Sequence, residues 1–141
     1  MPRLRPQTFV FTTVTDQRRA VFQRTENAEL VIATLDRYRE KDEFQLHAFV
    51  VMPDHLHVIL TPKESIERAA QLIMGGLSFQ LRKMYPGDIW QDGYQEHRIR
   101  DQDDFVAQTL YIENNPSRKN HRDYPHVHTN HPGILDPWGD V

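Results

Sequence analysis

Apolar and polar positions follow two different periods along this chain, and the switches between them mark out seven elements. Thr8 to Thr15 (Thr-Phe-Val-Phe-Thr-Thr-Val-Thr) is rich in β-branched and aromatic residues, which predicts a first strand. Thr25 is placed to cap a helix: Glu26 and Glu29 fall in its first turn, and Val31, Leu35 and Tyr38 recur at helical spacing. Phe44 to Met52 predicts a second strand, Pro53-Asp54 a tight turn, and His55 to Leu60 a third strand antiparallel to the second. Ser65 opens a longer helix whose Ile66, Ala69, Ala70, Ile73, Leu77, Leu81 and Met84 track one face. The Gly75-Gly76 pair inside it costs about 2 kcal/mol against two alanines, which predicts a bend or a close approach. After the Pro86-Gly87-Asp88 loop, Tyr94 to Arg100 predicts a short fourth strand. A last helix begins near Asp101, where acidic residues suit the helix dipole. It ends around Asn115, because the residue before Pro116 avoids helical dihedrals.

The order β-α-β-β-α-β-α predicts one α+β domain over residues 1–120, an antiparallel sheet with helices packed on it. Residues 121–141 are polar and interrupted by Pro125, Pro132 and Pro137, which predicts a weakly ordered tail. A length of 141 residues, with 38% hydrophobic and 26% charged, fits one ordinary globule with its own core. No apolar stretch approaches the roughly 18 residues of a membrane span, and no apolar segment follows the basic N-terminus as in a secretory signal. The absence of cysteine excludes disulfides, thiolate metal sites and a cysteine nucleophile, and makes a cytoplasmic protein the expectation. A formal net charge of −3 lacks the overall basic footprint of a nucleic-acid binder. The basic residues are nevertheless clumped, as Arg18-Arg19, Arg82-Lys83, Arg98 with Arg100, and Arg118-Lys119 with Arg122.

Candidate chemistry begins at His55-Leu56-His57. Alternation along a strand sends His55 and His57 to one face and Leu56, Val58 and Leu60 to the other. Two adjacent imidazoles can chelate one divalent metal, or they can simply be polar residues on a wet face. Tyr111 and Asn115 lie one helical turn apart on the last helix. On a helical wheel Phe105, Val106, Leu110 and Ile112 cluster on one side, which predicts the core face. Tyr111 falls roughly opposite, with Asp104, Gln108 and Asn115. A phenol titrates near 10 and needs help to act as a nucleophile at neutral pH. Two histidines and an amide oxygen from Asn115 would make a three-ligand metal site with open positions for phosphate and water, supplying that help electrophilically.

Three segments in this order are far more specific than any one of them: Phe49-Val50-Val51-Met52-Pro53-Asp54-His55-Leu56-His57, Ile89-Trp90-Gln91-Asp92-Gly93-Tyr94, and Tyr111-Ile112-Glu113-Asn114-Asn115-Pro116. Over about residues 7 to 120 the chain resembles the His-hydrophobic-His endonuclease superfamily. Within it the chain is similar to the single-tyrosine transposases of the insertion-sequence and REP-associated kind. The Trp-Gln-x-Gly segment and the Asn-Pro ending suit the REP-associated branch better. The resemblance implies a ferredoxin-like fold and a nuclease acting on single-stranded DNA beside a hairpin from a palindromic repeat. It also implies Mg²⁺ or Mn²⁺ on His55 and His57, completed by Asn115, and attack by Tyr111 to leave a 5′-phosphotyrosine and a 3′-OH. Relatives act as monomers or as homodimers. Asp54 departs from the pattern, which usually has asparagine there, and Ser117 stands where an apolar residue is usual.

Expected DNA contacts are Arg18, Arg19, Arg82, Lys83, Arg98, Arg100, Arg118 and Lys119, with Trp90 and Tyr94 as base-stacking surfaces. A histidine-triad hydrolase would need a third histidine where Ile59 stands. The tail pair His126-Val127-His128, with His121 and His131 nearby, reads as solvated because no apolar strand flanks it. His47 reads as a satisfied sheet residue, and His97 as a structural residue or, being close to the site in sequence order, a DNA contact. The rival function is a domesticated nucleic-acid-binding protein that no longer cleaves.

Overall fold

The computed structural model describes residues 6–118, 127–128 and 134–139. Its elements are β1 (Phe9–Val14), α1 (Thr25–Glu40), β2 (Phe44–Met52), β3 (His55–Pro62), α2 (Ile66–Leu81), β4 (Gln95–Arg98), α3 (Gln102–Arg118) and β5 (Val127–His128). The sheet order is β4-β1-β3-β2-β5, and every neighbouring pair is antiparallel. β3 lies between β1 and β2, so each helical crossover skips one strand. The expected α+β architecture is what the chain adopts, as a four-stranded sheet lengthened by the two residues of β5. No helix among the described residues is long and apolar enough to cross a membrane.

The two sheet faces carry separate apolar clusters. Phe9, Phe11, Phe49, Val51, Leu56, Val58 and Leu60 pack with α1 and α2. Val10, Ala48, Val50, Met52 and Ile59 pack with Ile112 of α3 and with Phe105 and Trp138. Coverage on both faces explains why β2 reads as an almost unbroken apolar run with no alternation. A register shift between Leu46 and Ala48 sets His47 in a bulge, where both ring nitrogens are engaged.

Several boundaries differ from the sequence reading. Arg24, not Thr25, occupies the cap of α1, and it makes no side-chain cap bond. Ser65 does cap α2, accepting from the Arg68 N–H. α3 starts near Asp101 as expected, and Asp101 accepts from the Asp104 N–H at 2.8 Å and so caps it. α3 runs on to Arg118 through Pro116: a proline in the last turn removes one backbone bond without forbidding helical dihedrals beyond it. α2 runs unbroken through Gly75-Gly76, and the close approach occurs at Gly76, where an added Cβ would lie 3.2 Å from the Tyr38 hydroxyl. At Gly75 the same Cβ meets nothing within 4 Å. Gly75→Ala is therefore expected to stabilise the fold by up to about 1 kcal/mol in urea denaturation. Gly76→Ala gains less, because the Tyr38 tip must move aside.

Within residues 121–141, expected to be a polar tail, residues 134–139 make specific contacts with the domain. Ile134 is buried in the α1/α2 core, and the Trp138 ring stacks on Phe105 of α3 at 4.6 Å and 8°. Asp136 accepts from Arg39 Nε and Nη2 at 3.0–3.1 Å and from the Leu46 N–H at 2.9 Å. A chain of bonds then crosses the β2 end of the sheet with directions forced by its ends. The Trp138 indole N–H donates to Thr8 Oγ1, Thr8 donates to Thr61 Oγ1, and Thr61 donates to His47 Nε2. His47 Nδ1–H donates to the Asp136 carbonyl. Polarity along this segment reflects specific partners here, which composition alone could not reveal. His128 lies on β5 opposite Phe49, while His121, His126 and His131 lie outside the described residues.

Candidate active site

The histidine pair sits where alternation put it. Met52 pairs with His55, Val50 with His57 and Ala48 with Ile59, so both imidazoles share the face that α3 covers. The two rings are edge to face, with centroids 4.9 Å apart. Pro53-Asp54 closes the β2–β3 hairpin in two residues, and the turn is pinned from outside. The Phe22 N–H donates to the Pro53 carbonyl at 2.9 Å, and the Thr15 N–H to the Asp54 carbonyl at 2.9 Å.

Each imidazole is held through Nδ1. Asp54 Oδ1 lies 2.7 Å from His55 Nδ1, and Thr12 Oγ1 lies 2.9 Å from His57 Nδ1. Burial opposes ionisation of Asp54, but the hydrogen bond and charge of His55, with the Arg18 guanidinium, outweigh it and hold its carboxyl below the ordinary value. Thr12 faces His57 across the β1–β3 ladder, a pairing that needs the strand register and so escapes sequence reading.

Tyr111 comes over the sheet to meet this pair. Its ring stands edge-on to His57 at 5.7 Å and 82°, with 39% of the residue exposed. The rotation of α3 differs from the one its apolar residues predict. Phe105 and Ile112 face the sheet, while Val106 and Leu110 are exposed, at 44% and 50%. The physical reason is that this sheet face is itself mixed. It offers Val10, Val50 and Ile59 to the apolar stripe of α3, and His55, His57 and Thr12 to the polar flank beside it. A polar helix face can therefore turn inward.

A cleft of about 280 Å³ opens beside the pair, lined by Thr12, His57, Gln95, His97, Gln108 and Tyr111 among others. His97 Nε2 donates to Asp104, which also accepts from Gln108 and from the Arg100 N–H. Burial opposes ionisation of Asp104, yet these donors keep its carboxyl below the ordinary value. This network ties β4 to α3 and thereby fixes the helix that carries Tyr111. The structural expectation for His97 holds, with the addition that its ring borders the cleft.

The other expected site residues are dispersed. Arg18 reaches Asp54 Oδ2 at 3.3 Å, next to the histidines. Arg19 donates to the Asp88 carbonyl at 2.6 Å and lies over the Tyr85 ring. Arg82 and Lys83 follow the end of α2, in the layer on the opposite sheet face. Arg98 shares the Phe9 face of the β4 edge, and Arg100 is exposed at the start of α3. Trp90 and Tyr94, the expected stacking surfaces, are half-buried and packed on apolar neighbours. The Trp90 indole donates to Ser78 Oγ and the Met74 carbonyl with its ring near Phe22, and Tyr94 leans on Phe11 at 5.4 Å. Asn115 lies one turn beyond Tyr111 on α3. Its side chain and that of Arg118, and all of Lys119, lie outside the described residues. No group of three or more His, Cys, Asp or Glu with metal-site geometry occurs among the described residues.

Known proteins share this arrangement of elements. A REP-associated tyrosine transposase solved bound to a REP hairpin superposes with a TM-score of 0.76 over 100% of this chain and 93% of that one, at 24% identity. A Deinococcus radiodurans R1 protein assigned as a transposase superposes with a TM-score of 0.57, over 81% of this chain and 97% of that one, at 22% identity. An uncharacterised protein of Haemophilus influenzae is 31% identical over 52% of this chain, and the chain spans about half of its length, 55%. The family model described as "Transposase IS200 like" matches residues 7–115, and the chain belongs to that family of transposases.

Proposed function

We propose that this protein is a metal-dependent tyrosine endonuclease and transposase that cleaves and rejoins single-stranded DNA at hairpin-forming repeats. The observation that carries this reading is Tyr111 standing edge-on to His57, with His55 beside it on the same sheet face. The pair fits a divalent cation, Mg²⁺ or Mn²⁺. Each Nδ1 is occupied by a protein neighbour, so ligation would go through Nε2 of both rings, with Asn115 as third ligand. Such an ion supplies Lewis-acid polarisation of a phosphate oxygen.

The chain's own residues account for the rest. The Tyr111 oxygen attacks the scissile phosphorus and loses its proton. The Tyr–O–P bond forms as the P–O3′ bond breaks, and the departing 3′ oxygen takes up a proton. One phosphodiester replaces another, so a later 3′-OH can reverse the step on the same or a new strand without an external energy source. Thr12 orients His57, and the His97–Asp104 tie holds α3 in register with the sheet. The cleft beside Tyr111 gives the nucleotide next to the phosphate a place to lie. Arg18, beside Asp54, is the nearest of the expected basic contacts for the DNA backbone. Arg19, Arg98, Arg100, Arg118 and Lys119 extend that proposal, and the monomer or homodimer state follows the family.

The test is incubation of the protein and Mn²⁺ with a labelled single-stranded hairpin repeat taken from beside its gene, followed by a denaturing gel. A metal-dependent covalent adduct is expected. Tight hairpin binding without adduct would replace the enzyme by a DNA-binding protein.

A further inference from the structure

The sequence places an aspartate directly before the histidine pair, and the fold gives both of its oxygens a partner. Asp54 Oδ1 lies 2.7 Å from His55 Nδ1, and Asp54 Oδ2 lies 3.3 Å from Arg18 Nη1. A carboxylate can only accept, so His55 must carry its proton on Nδ1 and its lone pair on Nε2. His57 is held differently. The Thr12 hydroxyl can donate or accept, so it orients that ring without choosing its tautomer.

The surroundings keep Asp54 in place. Its carbonyl accepts from the Thr15 N–H at 2.9 Å, which ties the hairpin turn to the end of β1. The loop that presents Arg18 is strained: Gln17 and Arg18 both have positive φ, 55° and 51°, and neither is glycine. Such conformations are costly for non-glycine residues and persist where surrounding bonds over-determine them. Here the Thr15 hydroxyl bonds the Arg19 carbonyl at 2.7 Å, and the Arg18 N–H bonds the Thr15 carbonyl at 3.0 Å. The ion pair that results has its arginine side chain 64% exposed, and exposed pairs add little stability. Stability therefore does not account for a strained loop aimed at Asp54.

We propose that Asp54 is the positioning residue of the candidate metal pair. Its charge sets His55 in the Nδ1–H tautomer, strengthens Nε2 as a ligand, and makes the chain's divalent-cation affinity depend on a carboxylate at position 54. The proposal rests on the metal reading above and deepens it. Carboxylate–histidine pairs of this kind orient metal ligands elsewhere, and their loss typically weakens metal affinity about 10- to 100-fold.

Mn²⁺ binding to the full chain without DNA, measured calorimetrically, tests this with Asp54→Asn, Asp54→Ala and His55→Ala. Wild type is expected to bind Mn²⁺ and His55→Ala to lose it. Asp54→Asn is expected to bind about 10- to 100-fold more weakly, because an amide can present either donor or acceptor to the ring. Nitrogen-15 NMR of the His55 imidazole in the metal-free chain gives an independent readout. One Nδ1–H tautomer is expected in wild type and a mixture in Asp54→Asn, whereas a change confined to folding would leave the ring's tautomer alone. Asp54→Asn binding within twofold of wild type, or keeping a single Nδ1–H tautomer, overturns the role of Asp54 and leaves the metal reading standing. Wild-type binding no tighter than that of His55→Ala overturns both.

Discussion

Tyr111→Phe is expected to abolish the covalent protein–DNA adduct while leaving hairpin binding nearly unchanged. The substitution deletes the oxygen that would join phosphorus and keeps the ring that stands edge-on to His57. Of the described side chains beside the pair, Thr12 is bonded to His57, and the chain has no cysteine. Tyr111 is 39% exposed and outside both apolar clusters, so stability should shift by less than about 0.5 kcal/mol. One hydroxyl's net hydrogen bonding is worth about 1 kcal/mol, which limits the change in DNA affinity to roughly fivefold. Denaturing gels read the adduct and fluorescence anisotropy reads binding on the same preparations. An adduct that survives would move the nucleophile elsewhere, and a parallel loss of binding would make Tyr111 a docking residue.

Asp136→Ala is expected to be the most destabilising single change outside the apolar core, by about 2–3 kcal/mol, or roughly 10 °C in thermal midpoint. Asp136 takes two arms of Arg39 and the Leu46 N–H, and its side chain and that of Arg39 are both about one-fifth exposed. Its loss leaves the Leu46 N–H without that acceptor and Arg39 with Asp36 alone of its two carboxylates. Burial works against ionisation of Asp136, but the Arg39 and Leu46 bonds outweigh it and hold the carboxyl below its ordinary value. A depressed acid contributes stability that is present above the unfolded-state value, near pH 4, and lost as pH falls through the folded one. The gap between wild type and Asp136→Ala should therefore narrow below about pH 4 in urea titrations. His47 adds an earlier decline. Burial depresses it despite the Asp136 carbonyl, so its contribution fades as pH falls below about 6.5. A gap that stays constant down to pH 2 would show that the Asp136 contacts do not carry the stability assigned to them.

How far the chain can be read without coordinates differs between its elements. β1, the β2–β3 hairpin and α2 follow from period and turn chemistry, because each is decided by residues a few positions apart. The shared face of His55 and His57 follows as well, since alternation is a property of one strand. α3 shows the limit. Its start at Asp101 is local, but its rotation is not: Val106 and Leu110 look like core on a wheel and are exposed in the fold. What turns the helix is the mixed face beneath it, assembled from β1, β2 and β3. The packing of Trp90 and Tyr94 is equally hard to read locally, since aromatics suited to stacking bases suit packing against Phe22 and Phe11 equally well.

The C-terminal segment was the least legible part. Nothing local distinguishes Asp136 from a solvated acid, because its partners are 97 and 90 residues away. The sequence by itself determined the α+β order of elements, the paired histidines and the tyrosine one turn from Asn115, all of them set by short-range spacing. Tertiary structure alone decided that Thr12 and Asp54 hold those histidines and that α3 brings Tyr111 to His57. It also decided that Trp138 and Asp136 lock the sheet's far end. Register, helix rotation and long-range ion pairs are chosen by burial and hydrogen bonding summed over segments far apart in the chain, and no window along it contains that sum.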